Sequence, residues 1–373
     1  SKQKSRAVEP NKIFNDIGLE DDALILFTSG TTGVPKGVVH TFRSLLARIS
    51  LNQYEIGRDV LKKTLCPLPT HFGHGLIGNC LTALLAGGDL ILHPVPDIRA
   101  ILNLSKVIDD LDVTFISSVP TMWKILVKAS PPAPVKKTLK RIHIGSAPLS
   151  ADLWNKVIAW SGIKNVVNTF GITETANWIS GASAQEFTPQ DGLIGKVWGG
   201  YAVVLNEEGH IVDNGRGELL VHSPSLMRGY LGLPDLTAKV LNGGYFFTGD
   251  VGEIKDGVLY LTGRKKFEIN KGGLKVNPED IDILLESNPM IREACAFGIE
   301  DEIAGEIVGV AIVANQDTSF DFESLKKWIK ERLSIEKVPS KWFLLDEIPK
   351  TDRGKVNRFN VAELCKTKSP LKK

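Results

Sequence analysis

Along the first half of the chain, short apolar runs alternate with stretches whose apolar residues recur every three or four positions. That alternation predicts strands layered under helices. Ala23–Phe27 is a compact apolar run of the kind that forms a strand covered on both faces. Phe42, Leu45, Leu46 and Ile49 then fall at near-helical spacing and predict a helix over 40–53. Further on, Leu76–Ala86 is small and apolar, Asp89–His93 reads as a strand, and Ile98, Ile101, Leu102, Ile108 and Leu111 mark an amphipathic helix. The same logic gives strands at 113–116, 141–144 and from Val166, with a helix from Pro120 to Val127.

From Gly192 the texture changes to short strands and glycine turns, among them Tyr201–Leu205, Gly217–His222 and a hairpin from Glu253 to Leu261 that turns at Asp256-Gly257. After Gly263-Arg264-Lys265-Lys266 comes a compact stretch of α+β character. It holds a proline-started helix at 278–287 and a second helix whose buried stripe is Phe322, Leu325, Ile329 and Leu333. The expected fold class is therefore α/β, with a large domain of α/β layers over residues 1–262 and a small β subdomain within it at about 192–262. A small α+β C-terminal domain occupies 263–373.

Composition narrows the class of partner. With 373 residues there is room for two or three domains. Forty-five Lys plus Arg against 43 Asp plus Glu leave a net charge of +2, which argues against nucleic acid or an anionic membrane and for a small-molecule partner. Cys66, Cys80, Cys295 and Cys365 are scattered without C-x-x-C spacing, so neither a zinc site nor a disulfide framework is expected and a reducing cytoplasm fits. Residues 1–20 are polar and no run of about 18 apolar residues occurs, so neither a signal peptide nor a membrane helix is expected.

Two stretches carry candidate chemistry. In the first, Gly30, Gly33 and Gly37 alternate with the hydroxyls of Thr28, Ser29, Thr31 and Thr32 and with the Lys36 ammonium. Glycines let a backbone approach an anion, and hydroxyls with a lysine supply donors and charge, so a polyphosphate is the expected guest. A Walker A loop is excluded, because Lys36 is preceded by Pro35 and followed by Gly37 rather than Ser or Thr. The helix after the loop is expected to add its dipole. In the second stretch, Val166 to Glu174, a strand leads to an aromatic ring, a hydroxyl and a carboxylate in close succession at Phe170, Thr173 and Glu174. This suits a nucleotide with a metal, although Thr173-Glu174 alone reads more readily as a solvated helix start.

Thr28-Ser-Gly-Thr-Thr-Gly-Val-Pro-Lys-Gly matches at every position the most specific motif of the ANL superfamily of adenylate-forming enzymes, which comprises acyl-CoA synthetases, adenylation domains and luciferases. Seven motifs resemble that superfamily in its order, from residue 28 to residue 355. The resemblance implies roles that spacing alone does not. Leu68-Pro-Thr-His71 resembles the segment lining the acyl pocket and the mouth of the thiol tunnel, which points to His71, with His74 the weaker candidate. Gly145, at the end of a short strand, is expected to permit close backbone approach to a flat ligand, and Gly145-Ser146-Ala147 resembles the border of adenine and acyl group. The segment with Asn168, Phe170 and Gly171 implies Phe170 stacking on adenine, Thr173 on the α-phosphate and Glu174 on Mg²⁺.

Asp250, which spacing alone reads as a turn aspartate, becomes a ribose ligand by resemblance, and Arg264 touches the same sugar. Lys266 corresponds to a hinge about which the small domain rotates, and Gly273, on what is otherwise an exposed basic hairpin, leaves room for a pantetheine arm. Lys355 sits in what composition reads as a solvated basic loop, and corresponds to the lysine that offsets repulsion when a carboxylate attacks the α-phosphorus.

The resemblance thus implies ATP, Mg²⁺ and a carboxylic acid, with coenzyme A or a carrier-protein phosphopantetheine as acceptor. An α-amino acid is disfavoured as substrate, because Leu68–Leu76 lacks the aspartate that would hold its ammonium. The alternative is a nucleotide-binding accessory or regulatory protein that keeps the pocket without turnover. Superfamily members usually carry a further subdomain before the phosphate loop, whereas here that loop begins within the first thirty residues. A homodimer or a separate partner is therefore expected at the surface that subdomain would cover.

Overall fold

The computed structural model describes residues 17–28, 36–93, 98–272, 274–316, 318–351 and 355–371. Strand β1 (Asp22–Thr28) pairs antiparallel with β2 (Lys36–Thr41), Thr28 lying opposite Lys36. This corrects two expectations. β1 is not covered on both faces, since Ile25 and Phe27 are 39% and 57% exposed. A run of five apolar residues does not separate a doubly buried strand from one in an antiparallel ribbon with a single covered face. The helix also does not open at the phosphate loop. Helix α1 (Phe42–Ile56) begins at the far end of β2, capped by the Thr41 side chain, which accepts from Ser44 N at 3.2 Å. Six strand residues at about 3.3 Å each hold its N-terminus roughly 20 Å from the loop, beyond useful reach of its dipole.

The body of the molecule is one sheet. Strands β3 (Lys63–Cys66), β4 (Asp89–Leu92), β5 (Phe115–Ser118), β6 (Arg141–Gly145) and β7 (Val166–Gly171) run parallel in the order β4-β3-β5-β6-β7. Successive residues serve opposite faces. Ile116, Ile142 and Val166 pack with Trp123 of α2 (Pro120–Ala129) and Trp154 of α3 (Ala151–Ser161), both indoles fully buried. Phe115 and Val167 pack on the other face with Ile56 of α1.

At β8 (Trp178–Ser183) the sheet turns antiparallel, and it continues through β9 (Leu193–Val197), β10 (Tyr201–Leu205), β11 (Ile211–Val212) and β12 (Gly215–His222). A short β13 (Gly229–Tyr230) leaves it to pair with β2, Tyr230 opposite Val38. β14 (Leu241–Asn242), β15 (Tyr245–Lys255) and β16 (Val258–Arg264) complete thirteen strands. The expected β subdomain is therefore continuous with the α/β layers, because β9 pairs with β8 on one side and β16 on the other. The predicted hairpin is present: Asp256 and Gly257 both take positive φ, 50° and 74°, as a two-residue hairpin turn of this sequence requires.

A second sheet of five strands follows. It contains β17 (Ile269–Lys271), β18 (Leu274–Val276), β19 (Ile291–Asp301), β20 (Gly305–Ala314) and β21 (Lys341–Leu344), the last parallel to β20. Helix α4 (Pro278–Glu286) and α5 (Phe322–Lys330) cover it with Ile281, Leu285, Leu325 and Ile329, and α6 (Arg358–Lys366) follows Lys355. The two sheets' units touch where Lys124 Nζ of α2 meets Glu286 Oε2 of α4 at 2.6 Å.

Candidate active site

The antiparallel ribbon ends beside a cleft of about 570 Å³ whose lining includes Lys36, Glu174, Glu218, Tyr230, Thr248 and Arg264. Local geometry explains why these side chains meet. His40, on β2, contacts the Thr173 carbonyl through Nε2 at 2.8 Å. Burial pushes its imidazole down to about 4, so it is neutral and donates from that nitrogen. This bond fastens β2 to the short turn Thr173–Thr175. The pairing of β13 with β2 brings Tyr230 to the same place, and its hydroxyl donates to Glu174 Oε1 at 2.8 Å. Burial and the Glu174 charge raise the phenol well above its ordinary value, so it stays a donor. Lys36 Nζ stands 5.5 Å from the centre of the Tyr230 ring.

The opposite wall comes from the long antiparallel strands. Asp250 sits within β15 rather than in a turn, next to a register shift, and is 3% exposed. Its Oδ1 meets Arg264 Nε at 2.7 Å, while Oδ2 is buried without a partner among the described residues. Burial raises this carboxyl to about 6, opposed by Arg264 and Lys355 and reinforced by Glu279 and Glu174. Glu218 accepts from Gly249 N at 3.2 Å and meets Lys265 Nζ at 3.0 Å.

A further cluster forms at the C-terminal ends of the parallel strands. His74, 7% exposed, contacts Ser146 Oγ through Nδ1 at 2.8 Å and Ser117 Oγ through Nε2 at 2.7 Å. Burial, with the nearby Lys355 charge, pushes it down to about 3, leaving a neutral ring. His71 is exposed, and its ring meets Phe72 edge-on. Of the two histidines, His74 is thus held in the buried cluster with Ser117 and Ser146, whereas His71 stays exposed.

Gly145 and its neighbours differ in detail from expectation. A Cβ on Gly145 would lie 2.4 Å from Thr169 Oγ1 and 2.7 Å from its carbonyl, so the glycine permits close approach of β7, not of a ligand. Ser146 instead takes positive φ, 67°, and Ala147 is half-buried. Asn168 is buried with Nδ2 on the Leu193 carbonyl at 2.7 Å. Phe170 is 9% exposed and packs with Val38, Ile179 and Ile194, and Gly171 abuts the Asn177 carbonyl.

Ser29, Gly30, Thr31, Thr32 and Gly273 lie outside the described residues. The backbone of Lys266 lies in a single 3₁₀ turn, Lys265–Phe267. Lys355 belongs to the smaller unit, yet its charge acts on both His74 and Asp250. The sequence reading does not single out Tyr230 or Glu218 in the cleft, nor the buried His40 and Ser117 that hold Thr173 and His74.

A family model described as AMP-binding enzyme matches residues 2–231, and one described as AMP-binding enzyme C-terminal domain matches 280–355. The chain belongs to the AMP-binding enzyme family. The resemblance to the ANL superfamily is borne out, and so is the fold class. The chain is 32% identical over 349 residues to an oxalate–CoA ligase of Arabidopsis thaliana, covering 92% of this chain and 68% of that protein. It is 30% identical over 362 residues to a 2-succinylbenzoate–CoA ligase of Bacillus licheniformis, 96% of this chain and 73% of that one.

Among solved structures it resembles the o-succinylbenzoate CoA synthetase of Bacillus subtilis. With the acyl-adenylate intermediate bound to that protein, the TM-score is 0.83 at 26% identity over 92% of this chain and 70% of that chain. With ATP and a magnesium ion bound to it, the TM-score is again 0.83 at 26% identity, over 93% and 71%. The chain spans 61% to 73% of the length of these and similar curated relatives. The relatives bear out the expectation of an AMP-forming acid–thiol ligase class. Among the described residues no helix is long and apolar enough to cross a membrane.

Proposed function

We propose that this chain adenylates a carboxylic acid with ATP and then passes the acyl group to a thiol, coenzyme A or a carrier-protein pantetheine. In the first step a carboxylate oxygen bonds to the α-phosphorus while the bond to pyrophosphate breaks. In the second a thiol sulfur bonds to the acyl carbon, AMP leaves, and the thiol proton is released. One observation carries the reading. The Lys355 charge, from the smaller unit, helps hold the His74 imidazole down and opposes the rise of the Asp250 carboxyl, so it is felt at the nucleotide wall and at the cluster at the strand ends. There it would stabilise the crowded negative charge of the attacked phosphorus.

The residues present suit the nucleotide. Asp250 Oδ2 is a buried acceptor in want of donors, which ribose hydroxyls supply, and Arg264 fixes the orientation of that carboxylate. Lys36 and the hydroxyls of residues 28–32 are assigned to the phosphates, and Thr173 to the α-phosphate. The Glu174 carboxylate, oriented by Tyr230, is assigned to Mg²⁺, a hard ion that would neutralise phosphate charge when bound. Phe170 and the 145–147 and 168–171 segments are assigned to adenine, and His74 together with Ser146 to the border of the acyl group, ahead of His71. The four cysteines, all buried and unbridged, fit a reducing compartment such as the cytoplasm.

Carboxylate-dependent exchange of pyrophosphate into ATP, over a panel of aryl and aliphatic acids, tests the proposal. Exchange with at least one acid, followed by thioester formation with coenzyme A or pantetheine, is the expected result. Nucleotide binding without exchange for any acid would favour an accessory nucleotide-binding role instead.

A further inference from the structure

Lys355 is carried by a small hairpin of the C-terminal unit. Thr351 N donates to the Lys355 carbonyl at 2.8 Å, Lys350 pairs with Val356, and Asn357 N donates to the Pro349 carbonyl at 2.9 Å. Asn357 then caps α6 by accepting from Asn360 N at 3.2 Å. The two legs of this hairpin are fastened at different depths. Lys350 Nζ meets Glu293 Oε2 of β19 at 2.6 Å, where both side chains keep partial access to water. Arg358, on the other leg, is 8% exposed.

That one guanidinium reaches three elements. Its Nη2 meets Asp282 Oδ2 of α4 at 2.7 Å, its Nη1 donates to the Ala296 carbonyl of β19, and its Cζ lies 5.6 Å from the centre of the Phe267 ring. Phe267 ends the turn Lys265–Phe267, which directly follows Arg264 at the end of β16. A buried charge held only for stability would need its carboxylate and a carbonyl, whereas the ring contact joins the lysine hairpin to the segment linking the two sheets. A planar fork that bonds in two directions while its charge lies over a ring is a geometry a lysine does not reproduce.

We propose that Arg358 is a positioning residue. It fixes the hairpin that presents Lys355 and ties that hairpin to the Lys265–Phe267 turn, so the lysine and the linking segment move as one body. The proposal rests on the ligase reading for its activity readout, and acts through Lys355 alone. Arg358→Lys and Phe267→Leu, each made in the native and the Lys355→Ala backgrounds, test it by pyrophosphate exchange, by thioester formation from supplied acyl-adenylate, and by thermal melting.

In the native background Arg358→Lys should lower exchange kcat about tenfold and Phe267→Leu about threefold, with KM for ATP changed by less than about twofold. Thioester formation from supplied adenylate should stay within about threefold, and neither change should add to the loss in the Lys355→Ala background. Equal losses in both backgrounds, or parallel losses in both half-reactions, would overturn it as a merely structural effect. Absent exchange in the native protein would speak against the ligase reading. The positioning claim is then decided by amide hydrogen exchange: Arg358→Lys should speed exchange of the 350, 351 and 355–357 amides about tenfold and leave β20 unchanged. Unaltered hairpin amides would overturn it.

Discussion

Asp250 offers a quantitative test of the nucleotide wall. Its carboxyl is buried, raised to about 6 by loss of solvent, and has one oxygen without a partner among the described residues. The sign of the linkage follows from the direction of that shift. The folded value lies above the unfolded value of about 3.9, so the folded protein binds the proton more tightly than the unfolded chain. The resulting stabilisation is fully present below about pH 4 and is lost as pH rises through about 6, roughly 3 kcal/mol in all. Ribose hydroxyls donate to the ionised form, so nucleoside binding should oppose this proton.

At about pH 5 only about one carboxyl in ten is ionised, and affinity should be about tenfold weaker than at about pH 8, or ~1.4 kcal/mol. Adenosine is the suitable probe because it carries no phosphate that titrates in this range. Calorimetric titration of adenosine at constant ionic strength should show the fall and the matching release of protons. Asp250→Asn should bind adenosine weakly and without pH dependence, and should melt higher than the native protein at about pH 8, since Arg264 is 39% exposed and can turn to water. A native affinity that is flat across this range would refute the assignment of Asp250 to the sugar.

Three other outcomes are expected. Glu174→Ala should lower Mg²⁺-dependent pyrophosphate exchange at least about tenfold, ~1.4 kcal/mol of barrier, and unchanged exchange would remove Glu174 from the site. Lys355→Ala should suppress adenylation while sparing thioester formation from supplied acyl-adenylate, and Lys266→Pro, by fixing φ in the linking turn, should do the reverse; loss of the same step in both would exclude a rotating small domain. Gly145→Ala should cost about 1–3 kcal/mol in denaturant unfolding, because its methyl meets the Thr169 backbone at 2.7 Å, and an unchanged midpoint would show that β6 and β7 can part freely.

Much of the fold was legible because local chemistry and tertiary demand agree. Asp256-Gly257 announces a tight hairpin and forms one, and the Leu325 and Ile329 stripe is buried as its spacing requires. The phosphate-loop strand was misread because apolarity in so short a run says nothing about which face is covered. The site was legible where one segment carries the chemistry, as at Thr173-Glu174. It was obscure where partners come from far along the chain: Tyr230 reaches Glu174 across 56 residues and Lys265 reaches Glu218 across 47. His71 and His74 could not be ranked by spacing, because what separates them is tertiary: His74 meets Ser117 and Ser146, 43 and 72 residues along the chain.

The unbroken sheet from β11 to β4 has a thermal consequence. Hydrogen-bonded neighbours melt together, and a ladder with no seam between its parallel and antiparallel halves leaves no boundary at which half could open first. Calorimetry should therefore record a single endotherm for the thirteen-stranded unit, although its strands span residues 63 to 264. Among the described residues the five-stranded sheet shares none of those ladders, and it should contribute its own endotherm. A nucleoside that grips the walls of the larger unit should then displace one peak much more than the other.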